Sequence, residues 1–138
     1  MTNTQERKFL PSYAFELLRI AASDLESAEI LQASKKGRKE NIFYHIQQSC
    51  EKSLKAALVS LELPVPLILD LAALVAKLPD SVERPFGYEL GELTQFATIR
   101  RYEEGEMILT AEEAAQGILL AKTILAWSMK ISTKATPP

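Results

Sequence analysis

The sequence predicts an all-α, up-and-down bundle of four long helices and one short one. Three observations predict it. Apolar residues recur at steps of three and four through five segments, the spacing of one helix face. No segment alternates as a half-buried strand would. No internal repeat or long heptad run points to a solenoid or a coiled coil.

The first helix is expected from about Ser12 to Ala33, on the stripe Leu17, Leu18, Ala21, Leu25, Ala28 and Leu31. The connector KKGRKEN follows, with Gly37 as its stop signal. Its basic cluster of Lys35, Lys36, Arg38 and Lys39 suits the negative end of a helix and reads as a solvated turn. The second helix is expected from about Asn41 to Leu61, ended by LPVP because proline lacks the backbone donor. A short third runs from about Leu67 to Leu78 and stops near Pro79. The fourth is expected to start near Asp80, where Asp80 and Glu83 have capping-box spacing and Pro85 fits a first turn. Its apolar face continues through Leu90, Leu93, Phe96 and Ala97 toward Ile99. Thr110 opens the fifth, with Glu113 three residues on, and its stripe is Ala114, Ile118, Ala121, Leu125 and Met129. STKATPP reads as a tail with nothing to pack.

A chain of 138 residues fits one domain. The expected division is a polar arm over 1–11, the bundle over 12–131 and a disordered tail over 132–138. A net charge of −2 does not draw the whole molecule to nucleic acid or anionic lipid, so any phosphate site must be local. One cysteine excludes an internal disulfide, and Cys50 among apolar neighbours reads as a small hydrophobe. MTNTQERKFL lacks the apolar core of a signal peptide. The longest apolar region is broken by Pro64, Pro66 and Asp70, so it does not span a membrane. A cytoplasmic protein is the expectation. No glycine-rich phosphate loop and no metal-ligand spacing is present, so no cofactor is expected.

The chemistry concentrates in FYHIQQSCEKSLKAAL, residues 43–58. At 100° per residue, Phe43, Ile46, Cys50, Leu54, Ala57 and Leu61 share the core side. His45, Gln48, Lys52 and Lys55 fall on the opposite side, with Ser49, Ala56 and Val59 among them. Small residues there let a ligand, another subunit or another backbone approach closely. The lysines supply point charges to a phosphate, and the glutamine can read an amide or a base edge. Plain solvent exposure and a subunit contact are the competing readings. Glu51, four residues before Lys55, reads as half of a modest pair.

The same run resembles the second-helix signature of HEPN domains. The matching places are Phe43 or Tyr44, His45, Gln47, Gln48, Ser49, Glu51, Lys52, Leu54, Lys55 and Ala56. AASDLESAEIL in the first helix is similar to the family's Asp-Leu-x-x-Ala pattern. Arg101-Tyr102 sits where many members carry Arg-Tyr-Pro, and the final helix opens on a similar Thr-x-Glu-Glu-Ala, from Thr110 to Ala114. The resemblance covers roughly residues 13–128. It implies a bundle that is usually dimeric, and a small stand-alone prokaryotic protein of the kind encoded beside a minimal nucleotidyltransferase. Some such pairs are toxin–antitoxin systems in which the HEPN partner is a ribonuclease. Other members lack nuclease residues and are thought to bind nucleotides or to complete a nucleotidyltransferase.

Three departures bear on which kind this is. Leu69 stands where a histidine often precedes Asp-Leu, and Glu103 replaces the proline of Arg-Tyr-Pro. The ribonuclease signature, Arg and His with four to six residues between them, is absent after Arg100 or Arg101, since His45 is the only histidine. Arg38 and His45 meet that spacing only across a connector and a helix start. His45 has the unperturbed pKa for proton transfer near neutrality, but the lysines on its face are expected to hold it neutral, and a hydrogen bond across a helix contact is the favoured role.

The expectation is a non-catalytic HEPN subunit, acting as a homodimer, that binds a nucleotide or a nucleotidyltransferase partner, in a toxin–antitoxin-like pair in one form. The candidate ligand-binding residues are His45, Gln48, Lys52, Lys55, Arg101 and Tyr102. For Arg101 and Tyr102, capping and covering the bundle's end is an equal alternative to gripping and stacking on a ligand. Glu103, Glu104 and Glu106 would repel an extended nucleic acid. The alternatives are a metal-independent ribonuclease toxin centred on His45 and a structural adaptor without a small ligand.

Overall fold

A computed structural model describes residues 6–67, 70–87, 90 and 110–135. Four helices lie among them: α1 (Tyr13–Ser34), α2 (Lys39–Ser60), α3 (Leu71–Ala76) and α4 (Ala111–Ala135). The architecture is the expected all-α helical bundle. One feature is added, a two-residue antiparallel ladder between β1 (Glu6–Arg7) and β2 (Val65–Pro66), which ties the N-terminal arm to the link after α2.

Side-chain bonds fix the directions of the long helices. The Ser49 hydroxyl donates to the Ala21 carbonyl at 2.8 Å, and His45 faces Asp24. Numbers rise on α2 as they fall on α1, so the two are antiparallel. On the other side Gly117 abuts Ile46, Ser128 donates to the Ser53 carbonyl at 2.6 Å, and Ser60 donates to Ser132 at 2.8 Å. There both sets rise together, so α4 runs parallel to α2.

The core side of α2 is as expected: Phe43, Ile46, Cys50, Leu54 and Ala57 are buried. Its back is more covered than the sequence suggests, because Ser49, Ala56 and Val59 are buried as well. Small residues let α1 and α4 close on α2; the Ser49 and Ser128 hydroxyls meet carbonyls and Ser60 meets Ser132, while Ser53 Oγ is buried with no hydrogen bond among the described residues.

α2 ends by its own geometry. Glu62 turns left-handed (φ 57). Glu62 N–H donates to Val59 and Leu63 N–H to Leu58, at 3.0 and 2.9 Å. This is a Schellman motif two residues ahead of Pro64. α1 likewise ends on a left-handed residue, Lys35 (φ 57), ahead of the expected stop at Gly37.

Three expectations are corrected. Residues 79–87 form turns and bends, not the first turns of a helix starting at Asp80. Arg84 organises them by donating to the carbonyls of Pro79 and Val82, and Trp127 Nε1 on α4 donates to the Glu83 carbonyl at 2.7 Å. Leu90 is helical and buried, while 88–89 and 91–109 of the expected fourth helix and its loop lie outside the described residues. Met129 is 51% exposed; the buried stripe of α4 instead runs Ala114, Ile118, Ala121, Ile124, Ser128 and Ser132. α4 also continues to Ala135, beyond the expected start of the tail, because Ser132 is buried against Ser60.

Candidate functional site

α2 carries the candidate residues at its centre. Its apolar face fixes rotation about the axis, and that rotation turns Gln48, Lys52 and Lys55 toward the N-terminal half of α1. Lys52 Nζ donates to Gln48 Oε1 at 3.1 Å and to Glu51 Oε2 at 2.8 Å. Lys55 Nζ stands 3.5 Å from the same Glu51 oxygen. Three of the expected residues therefore form one cluster.

Its hub is a residue expected only to pair modestly with Lys55. Glu51 is 1% exposed. A carboxylate so buried is costly unless paired, and here two ammonium groups share one of its oxygens. Neighbours in a helix do not ordinarily face each other, so Lys52 folds back along α2 to reach it. Glu51 Oε1 is buried and has no hydrogen-bond partner among the described residues. The signal for this burial was present: Gln47, Glu51, Leu54 and Leu58 follow steps of four, three and four, a stripe beside the core face, and all four are buried.

Lys52 and Lys55 edge a half-open groove of about 170 Å³, whose remaining lining is Phe9, Tyr13, Leu17, Val59, Val65 and Leu67. Lys52 and Lys55 are the charged residues of that lining. α1 contributes Tyr13 and Leu17, and the β1–β2 ladder holds Phe9 and Val65 in place. The Phe9 and Tyr13 rings stack at 5.0 Å with 28° between their planes. The arm and the β2 link were not in the expected site, because only the long-range pairing of Glu6–Arg7 with Val65–Pro66 brings them there.

His45 is separated from this groove. It lies about 10 Å up the axis from Lys52 at the helical rise, and its Nδ1 stands 3.6 Å from Asp24 Oδ1 on α1. That is beyond hydrogen-bond distance, and Nδ1 has no hydrogen bond among the described residues. The charged group facing the imidazole is the Asp24 carboxylate, while Lys52 and Lys55 lie at the groove. Tyr44 packs edge-on against the ring at 5.4 Å. Arg38, the residue ahead of α2, pairs with Glu40 in its first turn at 2.9 Å and does not join His45. Arg101 and Tyr102 lie outside the described residues.

Among the described residues, no three His, Cys, Asp or Glu side chains gather as a metal site, and no helix is long and apolar enough to cross a membrane.

The HEPN domain model matches residues 14–132. This chain belongs to the HEPN family. The HEPN match spans all four described helices, including the Glu51–Lys52–Lys55 cluster. Among solved structures, the crystal structure of TT1696 from Thermus thermophilus superposes with a TM-score of 0.70 at 23% identity, covering 86% of this chain and 98% of that one. That likeness is one of fold. A comparison with curated proteins returns no match.

Proposed function

We propose that this HEPN chain is a non-catalytic binding subunit that holds a nucleotide by its phosphate at Lys52 and Lys55, works as a homodimer, and serves a minimal nucleotidyltransferase partner. The observation that supports the reading is the placement of both lysines on the edge of one groove with an aromatic and aliphatic floor. An ammonium end suits a phosphate oxygen, and Tyr13, 39% exposed, offers a ring against which a base can pack. The groove is smaller than the roughly 300–1,000 Å³ that enclose a drug-sized molecule. It accommodates one ring and leaves the remainder of a nucleotide at its mouth. Gln48 is a positioning residue for Lys52. Arg101 and Tyr102, which lie outside the described residues, stay in the proposal as expected ligand-binding residues, and mutation tests them.

The test is calorimetry with a panel of nucleotides on wild type and Lys52→Ala. Binding by wild type that weakens about tenfold or more in the variant is the expected outcome. Equal binding by both, or none by either, rejects the groove. Co-purification from the native cell tests the partner.

One observation favours the ribonuclease alternative: a carboxylate, Asp24, stands behind His45 and can orient its ring. Against it, the ring lies away from both lysines, and general acid–base cleavage of RNA also needs a cation at the phosphate. Growth arrest on expression that is lost in His45→Ala would favour the nuclease over the binding subunit.

A further inference from the structure

Two lysines at a groove suggest a highly charged ligand. Glu51 changes the sum. Its carboxylate lies 2.8 Å from Lys52 Nζ and 3.5 Å from Lys55 Nζ. It is buried, and it cannot be swung away into water without unpacking α2. Two ammonium groups and one carboxylate leave the cluster with one net positive charge. The rest of the lining, Phe9, Tyr13, Leu17, Val59, Val65 and Leu67, adds none.

From this geometry, and resting on the nucleotide reading above, we infer that Glu51 sets the charge the groove accepts: the site takes a phosphodiester nucleotide, with one negative charge, in preference to mono-, di- or triphosphate esters. A singly charged phosphate meets Lys55 and the remaining donor capacity of Lys52, and the cluster closes at neutrality. Each further negative charge finds no cation among the described lining residues and is opposed by Glu51 at short range, where the surrounding apolar groups weaken screening. The apolar floor takes the base.

The shared chemistry of a phosphodiester has two sources, a cyclic mononucleotide and a link within a chain, and the probes separate them. The experiment is calorimetry at fixed ionic strength, without divalent cations. The probes are 3′,5′-cyclic AMP and cyclic GMP, the dinucleotides ApA and GpG, and AMP, GMP, ATP and GTP. Wild type is expected to bind at least one phosphodiester about tenfold tighter than the matching triphosphate. Glu51→Gln is expected to narrow that ratio by strengthening triphosphate binding, and Lys55→Met to weaken the phosphodiester about tenfold. If Glu51→Gln fails to fold, the wild-type ranking and Lys55→Met still decide. Wild type binding triphosphates as tightly as phosphodiesters overturns the inference and leaves the nucleotide reading standing. No binding by any probe overturns both.

Discussion

Cys50 and Glu51 are adjacent in sequence, both buried, and answer burial differently. Cys50 has no charge partner, and burial pushes its thiol from 9.0 up to about 12. The folded state therefore keeps a proton that the unfolded chain releases through pH 9. Stability contributed this way is intact below about pH 9 and is lost as pH rises from there toward about 12. The expected slope is up to about 1.4 kcal/mol per pH unit. Urea titrations of wild type and Cys50→Ala at pH 8.5 and 10.5 measure it: wild type should lose more stability than the variant over that interval. Equal losses would mean the thiol is open to solvent. Glu51 instead keeps its charge company through Lys52 and Lys55. The inward placement of Cys50 was legible from its apolar neighbours. That of Glu51 was signalled by its place in the 47–51–54–58 stripe but masked, because a Glu–Lys pair four residues apart is also the commonest pattern of a solvated helix face.

Helix ends show which signals are local. At Thr110 the capping box forms as the sequence implies: Glu113 N–H donates to Thr110 Oγ1, and Thr110 N–H donates to Glu113 Oε1, both at 3.0 Å. Thr110→Ala should cost about 1 kcal/mol in denaturant melts. Asp80 and Glu83 have the same spacing and form no helix start. That stretch is decided by Arg84 and by Trp127, which is 44 residues away from Glu83 in the chain, and no local pattern encodes it. The end of α2 was legible in place and not in mechanism. Pro64 marked it, whereas left-handed Glu62 executes it. A non-glycine residue there carries steric strain, so Glu62→Gly should raise stability by about 0.5–1 kcal/mol, read as a higher midpoint in urea. A lower midpoint would mean that the Glu62 side chain contributes more than its backbone costs.

At the scale of the molecule, α2 is the axis, packed by α1 on one side and α4 on another, with the Glu51–Lys52–Lys55 cluster where the arm and the β2 link meet it. Close approach of α4 depends on Gly117, where an added Cβ would come within 3.0 Å of Ile46 Cδ1. Gly117→Leu should cost about 1–3 kcal/mol by overpacking. The fold class and the inward face of α2 were readable because periodicity is a property of one segment. The groove was only half readable: its lysines lie within one motif, but its floor comes from residues 9–17 and 59–67, brought together by tertiary contact. His45 was grouped with the lysines by helical projection, which ignores the neighbouring helix that supplies Asp24. The most direct measurement is NMR of the lysine side-chain ammonium groups, assigned through Lys52→Arg and Lys55→Arg, during titration with a phosphodiester nucleotide. Saturable shifts at the Lys52 and Lys55 signals, with Lys122 on α4 unmoved, are the expected result. Shifts confined to other lysines, or none at millimolar ligand, would contradict the groove as the binding site.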